Sequence, residues 1–302
     1  MPSFSCIIEE GGDVRLDVFV AERLKLLNRS QVKTRNLKGF INGKAVKLSH
    51  LIRRNDVLEL TWDEPEPSIL VPEDLPLDVI YEDEQVIVIN KPQGMTTHPG
   101  AGVRHGTVAN ALLYRLLAAG RRPFGDLERT GIVHRLDKDT SGTLIAAYSE
   151  EALAFLAAQF KLRKALKVYM AIVKGRPEED QGIIETFIAR DKRNRKRFAT
   201  ADAGKFSITQ YQVVSSWVSA GKVYSLLKLR PKTGRTHQLR VHLRHIGCPI
   251  LGDPIYGDKD PSVSLMLHAK SLSIVLPGQE IMSTFSTPLP ARFHAKGARQ
   301  RV

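Results

Sequence analysis

Residues 131–142 read Gly131-Ile132-Val133-His134-Arg135-Leu136-Asp137-Lys138-Asp139-Thr140-Ser141-Gly142. This polar stretch lies between two apolar, strand-like runs, Ile132-Val133 before it and residues 143–147 after it. Small hydrogen-bonding residues and a glycine that follow a carboxylate are typical of a tight turn. The pattern therefore predicts a turn that presents the Asp137 carboxylate at a sheet edge.

Two interpretations of this turn follow from the chemistry of its residues. In the structural one, Arg135 and Asp137 form an ion pair that closes a strand connection, while Thr140 and Ser141 satisfy turn amides. In the functional one, Asp137 is a reactive carboxylate that a nearby guanidinium keeps ionised. The pattern alone favours the structural interpretation, because loop carboxylates are common and few of them are catalytic.

The composition is that of a soluble globular protein that binds a polyanion. The 302 residues are 42% hydrophobic and 25% charged, and the length favours two domains over one. Lysine and arginine number 45 against 32 acidic residues, which gives a net charge of +13 and points to nucleic acid ahead of a membrane surface. Cys6 and Cys248 are too few for a disulfide framework. With no signal peptide apparent and no bilayer-length apolar run, we expect a cytoplasmic protein with free thiols.

The turn residues His134 to Gly142 resemble the signature of the RluA family of RNA pseudouridine synthases. A second signature of that family is similar to Thr233-Gly234-Arg235, which is followed by His237-Gln238-Leu239-Arg240. The resemblance implies that Asp137 is the essential aspartate and that Arg240 pairs with it. A guanidinium is always charged, so it can keep a desolvated aspartate ionised.

The same resemblance implies three further contacts with the substrate. Tyr169, in the strand that begins near Lys167, would stack on the target base, although a core aromatic is the default interpretation of a strand tyrosine. Leu267 would lie against the base. Arg135 would occupy the position that the base vacates when it swings out of its stack.

Residues 14–60 read as a small domain of two helices, a hairpin and a strand. Leu16, Phe19, Val20 and Leu24 have helical spacing, Ser30 is suited to cap a second helix, and Asn42-Gly43 predicts a tight hairpin turn. The order resembles the RNA-binding domain named after ribosomal protein S-four, with Asn55 where that family has a glycine; asparagine tolerates the left-handed conformation. The resemblance nominates for RNA contact Arg29, Ser30, Lys33, Arg35 and Lys38, for which a solvated helix face is the alternative.

Three further segments complete the organisation of the chain. Residues 61–78 are an acidic, proline-rich linker, residues 79–290 the catalytic domain, and residues 291–302 a basic tail. A basic loop near residues 190–198 predicts phosphate contacts from Arg193, Arg195, Lys196 and Arg197. The expected fold class is α+β: the small S-four-type domain plus a synthase domain whose central mixed, mostly antiparallel sheet is flanked by helices.

The predicted function is isomerisation of specific uridines to pseudouridine. The combination of motifs is most similar to the RluD-like branch of the family, whose substrate is large-subunit (23S) ribosomal RNA, which places the protein in ribosome biogenesis. The reaction that the resemblance implies requires no cofactor and no metal, and we expect a monomer that does not associate with a membrane. His242 and His245 have helical spacing, but no carboxylate or cysteine completes a metal site with them.

Three alternatives stay open. A family member could act on transfer RNA, and a non-catalytic RNA-binding ribosome-assembly factor would need the basic patches but not Asp137. Sequence does not decide whether Asp137 acts as nucleophile or base.

Overall fold

A computed structural model of the chain describes most of its residues. The described ranges are 2–9, 14–27, 31–32, 35–63, 70–100, 102–124, 130–191, 194, 197–257 and 263–294. The chain divides into two compact units, residues 1–68 and residues 69–302.

The first unit is a small sheet packed on a short helical segment. Its core contains Leu16, Val20, Leu58 and Leu60, all fully buried. One sheet has the antiparallel order β1-β6-β3-β4, and β2 pairs with β5. The elements are β1 (Ser3–Ile7), β2 (Val14–Arg15), α1 (Leu16–Val18) with a π-helical turn (Phe19–Arg23), β3 (Lys38–Ile41), β4 (Lys44–Val46), β5 (Leu51–Ile52) and β6 (Val57–Thr61).

The turns of this unit have the backbone conformations that the sequence predicts. Asn42 and Gly43 join β3 to β4 with φ of 50° and 75°, and Asn55 adopts a φ of 67°. The unit is larger than the predicted range 14–60, because β1 pairs along the whole of β6. Of the predicted second helix, Gln31 and Val32 are helical, and the rest lies outside the described residues.

The second unit is built on one ten-stranded sheet. Nine strands follow the order β12-β11-β13-β14-β10-β15-β9-β8-β7, and β16 pairs with β15. The described pairs are antiparallel except β9 with β15, so the expected mixed, mostly antiparallel sheet is confirmed. The strands are β7 (Val79–Glu82), β8 (Val86–Lys91), β9 (Ser141–Ala147), β10 (Leu166–Lys174), β11 (Gln181–Arg190), β12 (Phe198–Ala201), β13 (Lys205–Ser219), β14 (Lys222–Pro231), β15 (Leu267–Val275) and β16 (Met282–Ser286).

Helices cover this sheet. Ser149 caps α3 by accepting a hydrogen bond from the Ala152 amide, as its sequence predicts. Thr107 caps α2 through a reciprocal pair of bonds with Asn110. The helices of this unit are α2 (Val108–Ala118), α3 (Glu150–Lys161), α4 (Gln238–His245) and α5 (Ala291–His294). None of the helices in the described part combines the length and apolar character needed to cross a bilayer.

Two expectations about this unit need correction. The run Ile132-Val133 is not a strand, because Ile132 makes a single isolated bridge to Ala146 before the chain turns away. The basic tail predicted from residue 291 begins with α5, whose Phe293 is fully buried in the core, so residues 291–294 belong to the fold. Residues 295–302 lie outside the described part of the chain.

Candidate active site

Residues 134–140, here called the aspartate loop, are fixed at both ends by buried polar contacts. At the start, the half-buried His134 ring stacks on Phe160 at 4.5 Å between centroids, and its Nε2 accepts a hydrogen bond from the Ile145 amide at 3.1 Å. Burial lowers the pKa of His134 to about 3, with a further lowering by Lys167, so the ring is neutral and can accept this bond. Leu136 exchanges two hydrogen bonds with the Thr97 hydroxyl.

A buried lysine holds the far side of the aspartate loop. The Lys91 ammonium donates to the carbonyls of Pro92, Met95 and Lys138 at 2.8, 2.7 and 3.2 Å. Burial lowers the pKa of Lys91 to about 8, although Asp139 and Asp137 partly oppose the shift. The side-chain amide of Gln93 donates to the carbonyls of Asp139 and Leu265. The backbone around Asp137 is therefore held by donors from the segment that follows β8.

Gly142 ends the turn where two strands approach closely. Its φ of 117° is unfavourable for residues with a side chain, and an added Cβ would lie 2.2 Å from the Ala269 carbonyl oxygen. The parallel contact between β9 and β15 pairs Gly142 with Ala269. The glycine of the sequence signature is thus needed for the contact that brings the aspartate loop next to Leu267.

Arg240 contacts two carboxylates. Its Nε and Nη2 donate to Asp253 at 2.7 Å each, while its Nη1 lies 3.4 Å from the Asp137 carboxylate. The Asp253 side chain is 0% exposed and that of Asp137 is 22% exposed. Burial would raise the pKa of Asp253, but Arg240 and the amides of Tyr256 and Ile255 outweigh it and lower that pKa. Asp253 therefore anchors the guanidinium, which reaches Asp137 with its third nitrogen.

A histidine is the second side chain close to the Asp137 carboxylate. His237 immediately precedes α4 with a left-handed φ of 56°, and its Nε2 lies 3.8 Å from the Asp137 carboxylate. Its Nδ1 is 2.9 Å from the Tyr256 hydroxyl. Burial lowers the pKa of His237 more than the nearby Asp137 raises it, so the ring is predominantly neutral at pH 7. A non-glycine residue in this conformation at a polar site is a candidate functional residue.

These side chains line a cavity of about 470 Å³. Tyr169 and Leu267 supply apolar walls beside Asp137. Burial and the Asp137 charge raise the pKa of the Tyr169 phenol, which therefore stays neutral. The remaining lining is strongly cationic and includes Arg135, Lys161, Arg163, Lys167, Lys232 and Arg235. The cavity can hold a flat, neutral ring against a carboxylate and place anionic groups on the surrounding cations.

The structure brings five of the predicted site residues together. Asp137, Tyr169, Arg240, Arg135 and Leu267 all line this one cavity. The expected contact between Arg240 and Asp137 is present, but it is secondary to the Asp253 pair. The sequence analysis gave Asp253, His237, Lys91 and Lys167 no role, although it quoted His237 in the second signature and Lys167 at the start of the Tyr169 strand.

The predicted RNA-contacting residues lie elsewhere. In the first unit Lys38 is exposed at the start of β3 and Arg35 is half-buried. In the second unit the Arg197 guanidinium lies 5.5 Å from the Tyr256 ring centroid, at the end of the basic loop. Outside the described residues lie Arg29, Ser30, Lys33, Arg193, Arg195 and Lys196.

The histidines do not form a metal cluster with one another. Both nitrogens of His242 lie within hydrogen-bond distance of threonine hydroxyls, those of Thr186 and Thr209, and burial lowers its pKa to about 4. Within the described residues no group of three or more histidine, cysteine, aspartate or glutamate side chains could hold a metal ion.

Comparison with known proteins gives a consistent picture. Residues 85–245 match the sequence model of a family described as RNA pseudouridylate synthase. A ribosomal large subunit pseudouridine synthase D from Borreliella burgdorferi is 44% identical, over 93% of this chain and 87% of that protein. A protein of the same name from Zymomonas mobilis is 36% identical, over 91% and 90% of the two chains. The structure of human RNA pseudouridylate synthase domain containing 1 is similar with a TM-score of 0.59 and 27% identity, over 76% of this chain and 90% of that one.

Proposed function

The chain belongs to the RNA pseudouridylate synthase family, and from that premise we propose that it isomerises specific uridines of large-subunit ribosomal RNA with Asp137 as the essential carboxylate. The substrate class rests on relatives that are named as ribosomal large subunit synthases and cover nearly the whole chain. The residue rests on the cavity, where Asp137 is the single carboxylate among the described lining residues.

The reaction constrains what the cavity must do. A uracil leaves the ribose at N1 and rejoins it at C5, the hydrogen at C5 leaves as a proton, and N1 ends protonated. Substrate and product contain the same atoms, so the reaction itself consumes no cofactor or co-substrate. The base must first leave its stack, which costs a few kcal/mol that RNA contacts have to offset.

Asp137 is suited to assist this isomerisation. It lies between a charged guanidinium and a neutral imidazole, 3.4 Å and 3.8 Å away, and is partly open to the cavity. An ionised carboxylate in that position can attack the nucleoside or remove a proton from it while the uracil detaches and turns. Arg240 would stabilise the carboxylate, and the neutral Tyr169 ring with Leu267 would hold the two faces of the base.

Arg135 is the residue we assign to the vacated position in the RNA. It is exposed, precedes Asp137 by two residues and lies at 3.4 Å from the His98 ring through its Nη1. A planar guanidinium can both stack on neighbouring bases and donate to their edges. The aspartate loop would thus supply both the arginine that replaces the flipped uridine and the carboxylate that acts on it.

Contacts away from the cavity would supply affinity. We assign this role to the first unit, as an S-four-type domain that uses Arg29, Ser30, Lys33, Arg35 and Lys38. We assign it also to the basic segment of Arg193, Arg195, Lys196 and Arg197. Cationic contacts to phosphates give salt-dependent affinity with little sequence information. We further propose that the protein works as a monomer in the cytoplasm during ribosome biogenesis.

The test is a pseudouridine map of ribosomal and transfer RNA by carbodiimide-based primer extension. Cells that lack the gene are complemented with wild type, Asp137→Asn or Asp139→Asn, the last a matched control outside the cavity lining. We expect sites in large-subunit RNA to be missing in the deletion, restored by wild type and Asp139→Asn, and not restored by Asp137→Asn. Missing sites confined to transfer RNA would overturn the substrate, and restoration by Asp137→Asn would overturn the role of the carboxylate.

A further inference from the structure

Lys167 lines the cavity, and its ammonium has no counter-ion among the described residues. It lies on β10 two residues before Tyr169, and both side chains line the cavity. The irregularity between β10 and β15 falls on Lys270 of β15, so the alternation of β10 is unbroken and the two side chains share a face. No described residue forms a hydrogen bond or an ion pair with the Lys167 ammonium.

The position of the ammonium is well defined. A methyl group built on Gly234 would lie 3.7 Å from the Lys167 Nζ, so the amine sits over the turn that carries Lys232 and Arg235. His134 also lines the cavity, and Lys167 helps to lower its pKa, so its neutral ring gives the ammonium no counter-charge. Burial lowers the pKa of Lys167 and no carboxylate opposes the shift. A desolvated cation without a partner costs stability, and an anionic ligand would offset that cost.

We propose that Lys167 is the binding group for a backbone phosphate next to the target uridine. This inference rests on the proposed function, since it takes the Tyr169 side of the cavity as the seat of the base. Two residues along a strand span about 6.6 Å, a distance comparable with that between a base and the phosphate of its own nucleotide. A phosphodiester supplies the full negative charge that an unpaired ammonium lacks, and the neighbouring Lys232 and Arg235 favour the same anion.

The contact would orient the nucleotide as well as bind it. With its phosphate on Lys167 and its base beside Tyr169, the flipped uridine is held at two points on one rigid strand. The ribose then lies between them, on the side of Asp137. Lys167 is therefore a positioning residue, and it does not itself touch the bonds that change.

The experiment compares Lys167→Gln, Lys167→Arg and wild type with Lys174→Gln, a control that removes the same charge from the same strand outside the cavity lining. The RNA is an unmodified large-subunit ribosomal transcript tritiated at uridine C5. Equilibrium binding is measured at a series of KCl concentrations, and single-turnover tritium release gives the half-saturating RNA concentration and the maximal rate. Each protein is also melted without RNA.

We expect Lys167→Gln to raise the half-saturating RNA concentration about ten-fold, which corresponds to the loss of one charge-assisted hydrogen bond. The slope of log K against log[KCl] should flatten by about 0.7 to 0.9, the value for one phosphate contact. Lys167→Arg should retain most of the RNA affinity and of the salt slope. Lys174→Gln should retain the wild-type affinity and the wild-type slope. Without RNA, Lys167→Gln should melt at the wild-type temperature or above it, whereas a structural lysine would lose stability.

Two results would overturn the proposal. One is a Lys167→Gln protein with the wild-type salt slope, whatever its rate, since a contact to a uracil carbonyl would lower the rate without changing that slope. The other is a melting temperature well below that of wild type, which would make Lys167 structural. A wild type that binds the transcript but releases no tritium would contradict the proposed substrate instead, and the binding slopes would still decide the role of Lys167.

Discussion

Asp253 and Asp137 share the guanidinium of Arg240, and the fold holds them in different ways. Asp253 is fully buried, takes two parallel bonds at 2.7 Å and accepts two more from the amides of Ile255 and Tyr256. Asp137 is partly exposed and receives one longer contact, at 3.4 Å. One carboxylate accepts four hydrogen bonds, whereas the other accepts one and keeps capacity for a ligand.

The two carboxylates therefore differ in what they can do, although both contact the same arginine. A carboxylate that accepts four good hydrogen bonds is a poor base and a poor nucleophile, because each bond stabilises its charge. Asp253 instead fixes the plane and position of Arg240, and the arginine then offers Asp137 a charge without saturating it. Asp137 is therefore held next to a positive charge and still has hydrogen-bonding capacity for a ligand in the cavity.

Among the variants that test this comparison, we expect Asp253→Asn to have the largest effect, which is a loss of stability. The change leaves a guanidinium that is 5% exposed without its main counter-charge, which costs about 3 to 5 kcal/mol of unfolding free energy. Urea unfolding measures that loss. The control is Asp180→Asn in the exposed pair with Arg176, where we expect less than about 1 kcal/mol. Equal losses at the two sites would show that burial does not distinguish the pairs.

Arg240→Lys tests whether the geometry of the shared group matters beyond its charge. A single ammonium cannot make two parallel bonds to Asp253 and also reach Asp137. We expect the single-turnover rate to fall about 10²-fold through misplacement of the carboxylate. Arg244→Lys on the same helix, which donates to the Tyr256 carbonyl, is the control for lysine in α4. A near-normal rate for Arg240→Lys would mean that net charge alone serves Asp137.

Sequence predicted the local part of this arrangement and missed the tertiary part. Helix caps and hairpin turns depend on a few neighbouring residues, so Ser149 and Asn42-Gly43 could be interpreted directly. The signatures likewise predicted Asp137 and Arg240 as site residues, and the two line one cavity. The bond from Arg240 to Asp253 joins a helix to a turn 13 residues later and exists only once both pack together. No spacing rule indicates which of two aspartates a guanidinium will prefer.

The missed cavity residues have the same explanation. Lys91 and Lys167 appear in sequence as ordinary strand lysines, and their role depends on what surrounds the amine. Lys91 meets three carbonyls, whereas Lys167 meets none in the described part of the chain. The run Ile132-Val133 failed as a predicted strand for a related reason, since strand pairing needs a partner at the right register and β9 offers it only a single bridge.

The smallest effect concerns the second neighbour of Asp137, His237. Its pKa is lowered below the ordinary 6.5, so at pH 7 the imidazole adds no second positive charge to the carboxylate. As the pH falls through this lowered pKa, the ring gains a proton and competes with the substrate for Asp137. The wild-type rate should therefore fall on the acid side, by up to about five-fold for one such pair.

The variant His237→Asn sharpens this expectation, because asparagine tolerates the left-handed φ of 56° but carries no titrating group. We expect its tritium-release rate near pH 7.5 to stay within a few-fold of wild type and its acid-side decline to shift to lower pH. His237→Val, whose β-branched side chain opposes the same backbone conformation, should instead lose stability in urea. An unchanged acid limb in His237→Asn would assign that titration to another group, and Asp137 would then depend on Arg240 alone.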